Sequence, residues 1–528
     1  MSDAKKSAGH VFVVRGKLEI VHCDAVIIPT DTACTVEPAW DKARGNSPKP
    51  ASIEGHARAE HTAIERSVWF VDVTDRNRPS LDAMQRNLSD ALSKIASELT
   101  DSLVSDRARP LVALPMLGVG GGGLREQVGD VINSLLQTLQ DAATNIDIAL
   151  VAFRESDYAA VQWARRGLHE CTSLAHSEEA KDLAQLARKD GLSLLIGAGV
   201  SMGAGLPSWT GLLQECLPND KQDVVGKDAF KNLGALDQAE YIGRTIGGLG
   251  QLKAKIADRV KIAARPALGH LLLASLGCHA VATTNYDKLY EDAVESQQGA
   301  TVPKVIPYER PAKGEPWLLK LHGDARYPDD IVIARSDFVG YDARSGPAGA
   351  LFQSMLMTTH LLAVGVSFAD DNILRLTHEV TGYLHHHSRA QSEPAETKKP
   401  LHLGTVLSLG GSEFRSEIWN PELNWIAIGE PVDDDTSDEA RSAAGKAQAR
   451  DLEIFLDHIA LHACSSSSYL LDDKYAALVD DSHAVDASKL AAKAVPAKPE
   501  SMDQWKPLRD TFAAHGFRRD RESQSGIK

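Results

Sequence analysis

The sequence predicts an α/β protein made of two sheet-bearing modules in tandem, and three observations lead there. Short apolar runs of strand length alternate, from about residue 11 to 170, with stretches whose apolar residues recur every three or four positions. The same alternation restarts at residue 192. A glycine-rich turn follows an apolar run in each half, at 118–123 and at 197–205. Strands that alternate with helices pack as a mixed or parallel sheet under helical layers. A chain of 528 residues with 43% hydrophobic content has room for two to four domains and the material for their cores.

In the first half, residues 11–14, 25–28, 68–71, 110–114 and 146–153 read as buried strands, and 81–104 and 126–143 as amphipathic helices. Ser177 is a candidate N-cap for a helix running to Lys189, with Gly191 just past its end. In the second half, strands are expected at 192–196, 280–284, 317–321, 331–334, 361–366 and 425–428. Residues 385–400, polar and containing a Lys-Lys-Pro, read as an exposed loop. Its histidines, His385, His386 and His387, match no metal-ligand spacing. An acidic run at 433 opens a helical extension to 463, and the Ser- and Ala-rich chain from 465 is expected to be partly disordered, with short helices around 474–479. The expected organisation is an α/β module at 1–172, a second at 177–430, a helical extension at 431–464 and a tail at 465–528.

Composition narrows the function. A formal charge of −15 argues against a non-specific nucleic-acid binder, which needs a basic surface. The six cysteines form no CxxC pair, so neither a zinc ribbon nor a dense disulfide framework is legible, and no metal is expected. The N-terminus has no apolar signal segment, and no apolar run reaches the roughly eighteen residues of a membrane helix. The expectation is a cytoplasmic protein with no membrane partner.

The segment 192–209, LSLLIGAGVSMGAGLPSW, is a strand followed by a glycine-rich turn. Glycines at 197 and 199 permit a sharp bend and close approach of a ligand. A helix opening there would favour a diphosphate. The glycines fall as GxGxxxG, not as the usual dinucleotide fingerprint GxGxxG, so spacing alone leaves open a plain strand–turn–helix junction.

Three further blocks follow: TTNYD at 283–287, LKLHGD at 319–324 and VGVSF at 364–368. Asn285 and His322 each end an apolar run, where open α/β sheets bind ligands. Taken singly, Asn285 and Asp287 also read as turn formers, and His322 as a satisfied core histidine. Together and in this order, the four blocks resemble the sirtuins, in their prokaryotic sirtuin-like branch. The resemblance implies a Rossmann-like parallel sheet that binds NAD, as a substrate and without a metal, through Gly197, Ala198, Gly199, Ser201, Pro207, Trp209, Thr284, Gly365 and Ser367. It implies catalytic roles for three residues. Asn285 would hold the ribose or the attacking water, His322 would take a proton, and Asp287 would support the loop or the nicotinamide pocket.

The chain departs from sirtuin deacylases in lacking their two CxxC pairs, the arginine that follows their proline (Pro207 is followed by Ser208) and their F-G-E substrate strand. Little is then left to hold an acyl-lysine peptide, which makes water the expected acceptor. The resemblance therefore implies an NAD hydrolase that releases nicotinamide and ADP-ribose, a regulated effector of bacterial anti-phage defence. It also implies a homo-oligomer, with a separate ATPase or a phage-derived activator as partner. The alternatives are a zinc-free NAD-dependent deacylase and a non-catalytic NAD or ADP-ribose sensor.

In the N-terminal half, GKLEIVHCDAVIIPTD at 16–31 and LPMLGVGGGGL at 114–124 are similar to the opening segment and glycine-rich loop of macro domains. The resemblance implies an N-terminal α/β macro-like domain that binds a nucleotide-derived signal at Asp24, Gly118, Gly120, Gly121 and Gly122. Pro29, Thr30 and Asp31 replace the asparagines of that motif, so binding is expected rather than catalysis. An inactive docking module is the alternative.

Overall fold

In the computed structural model, the structure describes residues 8–60, 66–99, 107–120, 123–169, 176–263, 265–388, 402–411, 413–433 and 436–478. The first half contributes eight strands: β1 (Val11–Arg15), β2 (Ala25–Thr30), β3 (His56–Arg58), β4 (Ser67–Asp72), β5 (Thr74–Asp75), β6 (Arg78–Pro79), β7 (Leu111–Pro115) and β8 (Asp147–Ala152). Six of them form a sheet in the order β1-β8-β7-β2-β4-β3, while β5 and β6 pair separately. Every neighbouring pair in that sheet is parallel except β3–β4.

The second half contributes β9 (Leu192–Ile196), β10 (Ala280–Thr283), β11 (Lys304–Ile306), β12 (Trp317–Lys320), β13 (His360–Val364), β14 (Gly404–Leu409) and β15 (Leu423–Ile428). They form one seven-stranded sheet, β11-β12-β10-β9-β13-β14-β15, in which all six pairings are parallel. All five residues of β9 are buried, as in a strand covered on both faces. That is why such strands read as continuous apolar runs.

Helices are built as the apolar spacing requires. Leu81–Glu98 starts at Ser80, whose Oγ accepts the Ala83 N–H at 3.2 Å. It buries Met84, Leu88, Leu92 and Ile95 along one stripe. The Asp438–Ala463 helix, N-capped by Ser437, packs on the Ser177–Arg188 and Leu268–Ser275 helices and also reaches β1 of the first sheet. There Asp457, fully buried, accepts from Arg165 Nη1 at 3.0 Å, pairs with Arg165 Nη2, and lies 2.7 Å from His10 Nε2. Two turns earlier, Arg450 clamps the buried Asp147 at 2.7 and 2.8 Å. The modules also meet directly: His22 N–H donates to Pro266 O at 3.1 Å, and Arg265 Nε to Glu19 O at 3.2 Å.

Several expectations need correction. Ser177 is the first helical residue, preceded by His176 in a left-handed conformation (φ 63°). Residues 331–334 form no strand. The N–H groups of Ile333 and Ala334 are taken by Asp337 Oδ2, each at 3.2 Å, and the chain turns into the Arg335–Val339 helix. His385, His386 and His387 belong to the Asp371–Ser388 helix, not to a loop. The strands β3, β5, β6, β11 and β14 lie outside the expected strand segments. Within the expected tail, the 3₁₀ turns Ser468–Leu471 and Asp473–Leu478 pack on the first module, where Tyr475 is fully buried with its hydroxyl 2.6 Å from Asp157 Oδ1.

Candidate functional site

The site is assembled by strand register. Thr283 at the end of β10 stands opposite both Ile196 of β9 and Lys320 of β12, and Val364 of β13 stands opposite Ile196. The residues that follow, Gly197, Asn285, His322 and Gly365, therefore leave one edge of the sheet. The chain runs from β9 to β10 on one side and returns to β13 on the other, so this edge is a topological switch point, where such sheets form a crevice.

The glycines are needed because two loops touch. Gly197 N–H donates to Val364 O at 2.9 Å and Gly199 N–H to Gly365 O at 3.0 Å. A Cβ on Gly197 would lie 2.3 Å from Gly365 O, and one on Gly199 would lie 2.9 Å from Gly365 Cα. Gly365 itself has φ +68°. The space that these residues keep clear is filled by each other's backbone. Ala198 and Gly199 remain exposed on the outer side of the turn, within the short Ala198–Met202 helix.

Beneath that turn lies a buried polar network centred on Ser201. Asn285 Nδ2 donates to Gly197 O at 3.0 Å and to Ser201 Oγ at 2.9 Å. Ser201 Oγ donates to Asp287 Oδ2 at 2.8 Å and lies 3.3 Å from His270 Nε2. Asp287 Oδ1 accepts the Leu289 N–H at 3.0 Å, and Lys320 Nζ bonds the Asp287 carbonyl. Asn285 Oδ1 is buried with no hydrogen-bond partner. Buried polar atoms are normally satisfied by protein, water or ligand, so this acceptor is a candidate ligand contact.

His322, 5% exposed, sits on the adjoining strand end. Gly323 (φ +89°) turns the chain beside it, and a Cβ there would meet Asp330 O at 2.4 Å. The imidazole lies edge-on to Phe338, with centroids 5.3 Å apart. Its Nε2 stands 3.2 Å from Asp370 Oδ2, without the alignment of a hydrogen bond. Burial lowers the imidazole pKa, opposed by the Asp370 carboxylate. Asp370 lies five residues past Gly365, so the loop that touches Gly197 and Gly199 also reaches His322.

The remaining predicted residues are more dispersed. Thr284, half-buried, donates its N–H to Ile196 O at 3.3 Å. Ser367 is exposed, and its carbonyl accepts from Arg415. Pro207 and Trp209 flank Ser208, which caps the Trp209–Cys216 helix, and Trp209 Nε1 is buried without a partner. Three participants escaped the sequence reading. Lys320 announced itself as one charge inside the apolar run WLLKL, and Asp370 lies just past the VGVSF block. His270 sits in the apolar stretch LGHLLLAS and gave no signal.

In the first module, a cavity of about 180 Å³ opens at the carboxyl ends of β2, β4 and β7, with Thr30, Asp31, Glu37, Trp40, Gly118 and Gly120 in its wall. Asp24 stands at the other end of β2, where its Oδ2 accepts the Leu111 N–H at 2.8 Å, so its carboxylate serves the sheet. Gly121 and Gly122 lie outside the described residues. Among the described residues, no group of three or more His, Cys, Asp or Glu is arranged to hold a metal, and no helix is long and apolar enough to cross a membrane.

The chain is 27% identical to the NAD(+) hydrolase ThsA of Bacillus cereus (strain MSX-D12), over 37% of this chain and 40% of that protein. It is 31% identical to the NAD(+) hydrolase ThsA of Enterococcus faecium, over 40% of this chain and 44% of that protein. The matches thus span about two fifths of the length of these relatives. Among solved structures, a macrodomain variant from Oceanobacillus iheyensis aligns with 30% of this chain and 93% of its own, at 12% identity and a TM-score of 0.24. The family model described as SIR2-like domain matches residues 279–393, the stretch that carries Asn285, Asp287, His322, Gly365 and Asp370. The chain contains a SIR2-like domain.

Proposed function

We propose that the chain hydrolyses NAD, breaking the nicotinamide–ribose bond to give nicotinamide and ADP-ribose. The observation that carries this reading is the unpartnered, buried Asn285 Oδ1 at the switch point, one strand from a buried histidine. Cationic nicotinamide leaves with the bonding electron pair and becomes neutral, and positive charge develops on the ribose. The negative end of the Asn285 amide dipole and the Asp370 carboxylate stabilise that charge. Water then forms the new C–O bond, and His322 takes its proton. Similarity to proteins named NAD(+) hydrolase supports the same reaction.

Purified chain incubated with NAD, with products separated by chromatography, tests this. Nicotinamide and ADP-ribose formed without peptide support hydrolysis. Product only with an acylated peptide supports a deacylase, and binding without turnover a sensor. Because burial holds His322 below the ordinary histidine value of 6.5, its base form persists into mildly acidic solution. The rate is expected to stay level as pH falls from about 8 through 6.5, and to decline only below that. A decline centred at or above 6.5 would contradict the role given to His322.

We propose that NAD loss serves anti-phage defence and that the first module governs it by binding a nucleotide-derived signal. The contacts of Glu19 and His22 with the segment that leads into the Leu268–Ser275 helix support such control. The described cavity wall contains the carboxylates Asp31 and Glu37 but no lysine or arginine, so a phosphate there would rest on backbone N–H groups. Calorimetric titration with ADP-ribose tests the binding.

A further inference from the structure

The polar network under the Gly197 turn admits one arrangement of protons, and that arrangement gives His270 a task. Asn285 places one end of its amide 3.0 Å from Gly197 O, which can only accept. An Oδ1 there would set two acceptors face to face, so the amide must present Nδ2 to Gly197 and Ser201 and turn Oδ1 the other way. Asp287 Oδ2, 2.8 Å from Ser201 Oγ, accepts the single Ser201 proton. The hydroxyl oxygen has two lone pairs. One accepts from Asn285 Nδ2 at 2.9 Å, and the other faces His270 Nε2 at 3.3 Å.

At the far side of the imidazole, His270 Nδ1 accepts the Ala267 N–H at 3.2 Å. A neutral ring with Nδ1 occupied as an acceptor carries its proton on Nε2 and donates it to Ser201. The ring is 1% exposed, and burial pushes its pKa down to about 4, so it is neutral in ordinary buffers.

We infer that His270 is a positioning residue for NAD cleavage: by donating to Ser201 it locks that hydroxyl onto Asp287, and so fixes the Asn285 amide with its oxygen toward the ribose. The inference deepens the proposed NAD reaction and rests on it. Without the His270 donor, one Ser201 lone pair is empty and the hydroxyl is free to rotate. Its proton can then point elsewhere, and the Asn285 amide loses its register. The residue touches no reacting atom.

Two measurements test this. In the first, kcat and KM for NAD are compared among His270→Phe, His270→Gln and the same changes made with Ser201→Ala. His270→Phe is expected to lower kcat about ten- to a hundredfold with little change in KM, as a displaced catalytic group does. His270→Gln, which keeps a donor, recovers most of that loss. With Ser201→Ala the two His270 variants become equivalent, because the partner is gone. Equal losses in Phe and Gln, or a Phe loss undiminished without Ser201, would overturn the inference.

The second measurement needs no turnover. In full-length chain labelled with ¹⁵N-histidine, the resonance missing from His270→Gln is expected to show a pyridine-type Nδ1 and a pyrrole-type Nε2 at neutral pH. The opposite tautomer or a charged ring would refute the proton arrangement even if NAD is cleaved. A wild-type chain that leaves NAD intact both alone and with a nucleotide ligand bound to its first module would instead refute the functional reading, and the tautomer result would stand apart.

Discussion

Asn285→Ala is expected to lower NAD cleavage about 10²- to 10³-fold, the loss that follows when one preorganised polar group is taken from a developing charge. The substitution also removes two hydrogen bonds from Nδ2, to Gly197 and Ser201. Each contributes about 0.5–1.5 kcal/mol, so the folded state should survive with a modestly lower denaturation midpoint. Turnover followed by nicotinamide release, alongside the midpoint, separates the two effects. A variant that is fully folded and nearly fully active would show that the unpartnered oxygen has no part in the chemistry.

The largest effect on stability is expected at Asp457. Its carboxylate is buried among Arg165, His10 and the Val13 N–H, and joins the Asp438–Ala463 helix to the first sheet. Removing one member of a buried pair leaves its partner charged and uncompensated, which typically costs about 3–5 kcal/mol. Asp457→Ala removes the carboxylate that faces the Arg165 guanidinium, itself fully buried. Thermal or denaturant unfolding should show a clearly lower midpoint, and an unchanged one would mean that the pair contributes nothing net.

The pH dependence has a definite sign. Burial works against ionisation of Asp457, but Arg165 and His10 outweigh it and hold the carboxyl well below its ordinary range. Because the pKa is lowered by folding, this stabilisation is complete above the unfolded value of about 3.9 and is lost as pH falls toward the folded value. Asp147, held low by Arg450 and Arg107 against the same burial penalty, adds to the loss in the same window. Unfolding at pH 7 and pH 3 should therefore differ less in Asp457→Ala than in the natural chain.

What could be read in advance depended on whether a residue's neighbours in sequence are also its partners in space. The strands β1, β2, β9 and β13 were legible because each buries all or all but one of its residues, and burial on both faces leaves an apolar run. Residues 331–334 are as apolar as those strands, yet Asp337 takes two of their N–H groups and bends them into a helix cap. That competition lies in a side chain three or four residues away, which apolar pattern alone does not weigh.

The site shows the same division. Asn285 and His322 stood out only as members of four ordered blocks, since singly one also reads as a turn former and the other as a core histidine. The glycines at 197 and 199 also stood out, but their cause lies 166 or more residues along the chain in Gly365, whose backbone fills the space that a Cβ would need. His270 was invisible, since a histidine among leucines reads as core until Ser201 is seen 3.3 Å away.

One crystal structure would test the central claim: the His322→Ala chain, slow enough to retain its substrate, with NAD bound. The nicotinamide ribose is expected between Asn285 Oδ1 and the space left by the imidazole, with the diphosphate along Ala198 and Gly199. A dinucleotide seated elsewhere, or a ribose out of reach of Asn285, would contradict the account.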